Sequence, residues 1–143
     1  MLRTISILGL VFIGIYSCRK NNQTNIPYVP VNESLVLAEP SNFPLTSVGG
    51  WVYLQSGYRG IIVYRKAFNG DSEDFIAFDR ACPRHFDQDC GRLKVETNDL
   101  YLACTCDCKR WLLINGFPEQ DDAGFLQQYQ TTFGSGILLI RNF

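Results

Sequence analysis

From residue 35 onward, short apolar or alternating runs are interrupted every few positions by Gly, Pro, Asn or Asp. A side-chain period of two, bounded by turn residues, predicts half-buried strands. Strands are expected at 35–37, 51–54, 61–65, 75–79, 92–96, 100–104, 111–114, 127–133 and 137–141. Gly57 to Gly60, Asn98-Asp99 and Gly134-Ser135-Gly136 join neighbouring runs as hairpins, and Asn69-Gly70-Asp71 is a further strong turn signal. No stretch holds the 3.6-residue period of a helix. The pattern predicts an all-β domain.

The N-terminus follows another pattern. Arg3 precedes an apolar run over 5–16 that is too short to span a bilayer comfortably. This is the layout of a secretory signal peptide, expected over 1–17. The segment IYSC resembles the lipobox of bacterial lipoproteins, which implies that Cys18 is lipidated and becomes the mature N-terminus. Residues 18–34 are polar and rich in Asn and Pro, so a lipid-anchored flexible linker is expected there, with the β domain over 35–143. The expected location is the cell envelope, anchored to the membrane through the lipid on Cys18. The sequence RKNNQ after Cys18 lacks an acidic run that resembles a surface-export signal, and the periplasmic side is therefore expected.

Composition narrows the function classes. A 46% hydrophobic, 19% charged chain of 143 residues fits one globular domain. A net charge of -1 leaves no basic footprint for nucleic acid. Neither a Ser-His-Asp set nor a phosphate-binding glycine loop is present. Trp51 and Trp111 are expected to pack in sheets, the Tyr53, Tyr58 and Tyr64 set to follow alternating strand faces, and the EQDD run at 119–122 to be a solvated loop.

The chemistry is concentrated between residues 82 and 108. That stretch holds the only histidine, His85, and five of the six cysteines. Cys82, His85 and Cys90 form one cluster, and Cys104, Cys106 and Cys108 the other. Each lies in a loop at the end of a predicted strand, where sheets usually carry their sites. Setting Cys18 aside leaves an odd number of cysteines, so at least one thiol is unpaired, metal-bound or intermolecular.

The segments VGGWVYLQSGYRGIIVYR, FIAFDRACPRH, CTCDCKRW, the ING turn and LQQYQTTFGSGILLIRN resemble the Rieske-type iron–sulfur domain, in the small lipoprotein variants typical of Bacteroidetes. The resemblance runs from about residue 48 to the C-terminus. It implies an antiparallel β-sandwich with a small subdomain carrying the two cluster loops. A Rieske centre is a [2Fe–2S] cluster with two Cys ligands on one iron and two His ligands on the other. The family pattern is C-x-H in the first loop and C-P-C-H-G in the second. Cys82 and Cys104 match the cysteine ligands, while Cys90 and Cys106 match a bridging disulfide pair. Arg84 and Asp107 stand where the histidines belong, His85 comes one place late, and Cys108 replaces the following glycine.

A standard Cys2His2 cluster is therefore excluded. Three readings stay open. Cys82, Cys104, His85 and one of Asp107 or Cys108 form an atypical [2Fe–2S] centre; the same residues hold Zn²⁺ in a mixed site; or the cofactor is gone and the cysteines pair. The leading expectation is the last: a non-catalytic, disulfide-stabilised scaffold or binding domain with no cofactor. An electron-transfer protein with the atypical cluster is the alternative. No redox or binding partner is legible.

Overall fold

The computed structural model describes residues 25–142. The expected signal segment, Cys18 and the first part of the expected linker lie outside them. The fold is all-β and antiparallel throughout. Its strands are β1 (Asn32–Val36), β2 (Trp51–Leu54), β3 (Ile61–Arg65), β4 (Phe75–Asp79), β5 (Lys94–Val95), β6 (Tyr101–Ala103), β7 (Arg110–Leu112), β8 (Gln128–Gly134) and β9 (Ile137–Arg141). Among the described residues, helical backbone is confined to the 3₁₀ turns Pro40–Thr46, Ser72–Asp74 and Asp89–Gly91. No helix there is long and apolar enough to cross a membrane.

Six strands hydrogen-bond in the order β1-β9-β8-β4-β3-β2, and β5-β6-β7 form a separate small sheet. The larger sheet curls at β8. Tyr129 and Gln128 pair with Ala77 and Phe78 of β4, whereas Gln130 to Gly134 pair with β9. One strand thus passes from one half of the sheet to the other, which is how sandwich-like folds turn a corner.

β3 and β4 are the middle layer. All five residues of each are buried, because both faces are covered. Ile61, Val63, Phe75 and Ala77 face a core shared with Val31, Leu45, Tyr129, Leu138 and Ile140. Ile62, Tyr64, Ile76 and Phe78 face a second core with Leu93, Leu102, Trp111 and Leu113. A strand covered on both sides reads as a continuous apolar run, as IIVYR and FIAFD do. The second core fastens the small sheet, and with it both cysteine loops, to β3 and β4. Its fully buried Trp111 donates from Nε1 to the Gly124 carbonyl at 2.8 Å.

Two departures from expectation have physical causes. β1 begins at Asn32, inside the stretch expected to be linker, and Val31 before it is buried. Only Leu35 of that strand is buried; an edge strand with polar exposed positions carries little apolar signal. The segment Pro40–Thr46 is a 3₁₀ helix, with Pro40 in its first turn, where a missing N–H is tolerated. Its Leu45 plugs the first core.

Candidate functional site

Both cysteine loops are held by backbone before any side chain contributes. In the first, Cys82 N donates to Gly91 O at 2.8 Å, and successive turns are closed by His85 N to Cys82 O, Gln88 N to His85 O and Gly91 N to Gln88 O. Gly91 is required for space: an added Cβ would lie 1.7 Å from the His85 carbonyl oxygen. In the second loop, Cys104 N donates to Lys109 O at 2.8 Å and Cys108 N to Cys104 O at 3.0 Å. Cys108 adopts a left-handed backbone at φ 58°, a conformation that glycine takes most readily.

A buried carboxylate anchors the first loop. Asp79, the last residue of β4, accepts from the amides of Tyr58, Arg59 and Ala81 at 2.6, 3.1 and 2.9 Å, and from the Tyr129 hydroxyl at 2.7 Å. Arg59 then donates to the carbonyls of Phe86 at 2.8 Å and Gln88 at 3.1 Å. Arg80, beside this hub, donates to Leu93 O at 3.0 Å and stacks 3.5 Å from the centre of the Tyr53 ring. Tyr53 Oη in turn accepts from Val95 N at 2.9 Å, linking β2 to the small sheet. Sequence reasoning missed this network. Its one visible signal was an aspartate ending an otherwise apolar strand.

The two loops are joined directly. Cys90 and Cys106 form a disulfide, with their Cα atoms 5.2 Å apart, and Thr105 Oγ1 donates to Cys90 O at 2.9 Å. Beneath this bridge, Cys82 and Cys104 are buried free thiols. Among the described residues, one group of possible metal ligands has all its donor atoms within 4.8 Å of one another: Cys82, Cys104 and Asp107. His85 joins it indirectly. Its Nε2 lies 3.1 Å from Asp107 Oδ2, while Nδ1 lies 3.2 Å from Gln88 Nε2. Cys108 is exposed and lies outside the group, in the lining of a cleft of about 580 Å³ that it shares with Cys104, Thr105 and Arg110.

Electrostatics bears on two of the three donors. Burial, then the adjoining Cys82, pushes the Cys104 thiol up to about 12, so Cys104 is protonated at neutral pH. Burial opposes ionisation of Asp107 too, but the Lys109 amide, the Cys104 thiol and His85 together hold its carboxyl below the usual range. At neutral pH the Asp107 carboxylate therefore faces the Cys104 thiol.

No family model, curated protein or solved structure matches the chain.

Arg84 and Lys109 are engaged elsewhere. Arg84 Nη1 meets Asp122 Oδ2 at 3.3 Å and its carbonyl at 2.9 Å, and Lys109 Nζ contacts Asp122 Oδ1. The EQDD run, expected to be a solvated loop, thus supplies one exposed carboxylate that ties residues of both cysteine loops to a third segment.

Proposed function

We propose that the chain is an exported lipoprotein of the cell envelope, tethered through Cys18, whose Rieske-like domain does not assemble a [2Fe–2S] centre and serves as a non-catalytic binding or scaffold module. The observation that carries this reading is the 3.1 Å contact between His85 Nε2 and Asp107 Oδ2. A second iron needs two donors besides Cys82 and Cys104. Arg84 supplies none and is paired with Asp122, Cys108 is exposed and outside the donor group, and His85 directs Nε2 at Asp107, which leaves one donor where two are needed. The residues present do not fit a Cys2His2 cluster.

The loops are cross-linked through side chains other than those of Cys82 and Cys104. The Cys90–Cys106 disulfide, the Asp79 hub and the Asp122 pairs hold them from three directions. Disulfides persist in exported compartments, which agrees with the lipoprotein-like N-terminus. A one-electron carrier with an atypical cluster is the competing reading, and what favours it is that Cys82 and Cys104 are both free and buried.

Iron, acid-labile sulfide and a visible spectrum on the full chain, purified without oxygen in detergent, decide between the two. Colourless protein free of iron and sulfide is expected; stoichiometric iron and sulfide with a brown colour overturns the proposal. Membrane release of a Cys18→Ser variant tests the tether.

A further inference from the structure

The misfit with a two-iron cluster leaves a donor set unexplained, and its geometry suits a single ion. We propose that Cys82, Cys104 and Asp107 bind one thiophilic divalent cation of the Zn²⁺ class, with His85 as the positioning residue that holds the Asp107 carboxylate. This deepens the reading of the domain as a binding module and rests on it, since a [2Fe–2S] centre would occupy the same thiols.

The distances carry the argument. Tetrahedral zinc, with bonds of about 2.3 Å to sulfur and about 2.0–2.2 Å to oxygen, sets its donors roughly 3.5–3.8 Å apart. Donor atoms that already lie within 4.8 Å of one another need only a small contraction around an ion. The three donors come from two loops that the disulfide and Thr105 hold together, so the group is largely preformed.

Packing alone explains the thiols but not the carboxylate. Cysteine behaves as a small apolar residue in a core. Asp107 is partly exposed, and the Lys109 amide on Oδ1 and His85 on Oδ2 hold its carboxylate beside the two buried sulfurs, where one cation would meet all three donors. Its contact with His85 has the form of an outer interaction that orients a ligating carboxylate, and Gln88 orients the histidine in turn.

Binding is balanced by proton release. The two thiols lose their protons to solvent as both Cys–metal bonds form, Asp107 enters already ionised, and no electron is transferred. Three protein ligands leave a fourth position, which water or an incoming group reaches through the cleft bordered by Cys104, Thr105 and Cys108.

The test uses the full chain in detergent, purified without oxygen and analysed for zinc, iron, sulfide and thiols, then titrated with Co²⁺ and competed with Zn²⁺. One zinc per chain is expected, and Co²⁺ should give thiolate-to-metal charge-transfer absorption that Zn²⁺ abolishes. Asp107→Ala should raise the Zn²⁺ Kd by about tenfold or more, and His85→Ala by about 10- to 100-fold while retaining the thiolate absorption. Cys108→Ser should change neither. The Cys82→Ala/Cys104→Ala double variant should bind no Co²⁺; because both positions are core, Asp107→Ala remains decisive if that variant does not fold. Metal-free protein that takes up neither ion, whether its thiols are free or bridged, overturns the cation site and leaves the binding-module reading intact. Two irons and two sulfides per chain overturn both.

Discussion

The Tyr129 hydroxyl donates a 2.7 Å hydrogen bond to Asp79 Oδ2, tying the closing hairpin to the strand that leads into the first cysteine loop. Removing that donor leaves a fully buried carboxylate one partner short. Tyr129→Phe should lower stability by about 1–3 kcal/mol in urea unfolding. It should also flatten the alkaline response. Burial first, and the Asp79 bond second, push the Tyr129 phenol well above its ordinary value. Stability from a raised phenol is complete below the unfolded pKa of about 10 and declines as pH climbs beyond it. The wild-type chain should therefore lose stability above about pH 10 more steeply than Tyr129→Phe.

Asp74 governs the acid side. It is fully buried, meets Arg65 Nη2 at 3.3 Å, and accepts from the amides of Asn69 and Gly70 at 2.6 and 2.8 Å. Burial alone raises its carboxyl, but the two amides and Arg65 outweigh it, and the net shift is downward. Stability from a lowered carboxyl is present above the unfolded pKa of about 3.9 and is lost as pH falls through the folded value. Asp74→Asn should be less stable at neutral pH and show a shallower loss between about pH 4 and pH 2. Parallel acid titrations followed by tryptophan fluorescence check both arms.

The disulfide closes a short loop, with 16 positions separating Cys90 from Cys106. Loop-closure entropy for that length is worth about 3 kcal/mol. The Cys90→Ser/Cys106→Ser double variant should show a urea midpoint lowered accordingly. If the bridge also gathers the metal donors, the same variant should bind Zn²⁺ more weakly than wild type, although neither residue is proposed as a ligand.

Gly91 offers a purely steric test. Its backbone is accessible to any residue, yet an added Cβ would fall 1.7 Å from the His85 carbonyl oxygen. Gly91→Ala should therefore cost about 1–3 kcal/mol, as overpacking does. The loop must shift to accommodate the methyl, carrying His85 with it. A weaker Zn²⁺ Kd together with reduced stability is expected; unchanged values for both would remove this contact from the account.

Strands with a full apolar signature were legible to the residue: β2, β3, β4 and β9 have the bounds the alternation predicts. Elsewhere the bounds moved. β1 buries one side chain of five, and β5 is two residues long, so neither carries a full period of two. The two cysteine clusters could be found by counting. Which charges serve them could not. His85 meets Asp107 across 22 positions and Arg84 meets Asp122 across 38, pairings fixed by the approach of loops with no local sequence signal. The Asp79 hub was hidden for the same reason, since its partners come from three separate segments.

Cys82 and Cys104 also belong to the second core, packed with Leu93, Leu102 and Trp111. They are structural bricks as well as donors, and the two roles respond differently to change. Replacing either one disturbs the wall that fastens the small sheet, whereas Asp107 and His85, being partly exposed, can vary with little effect on that wall. A change at the carboxylate or the imidazole is thus separable from the fold, whereas a change at either sulfur acts on the ion and on the wall together.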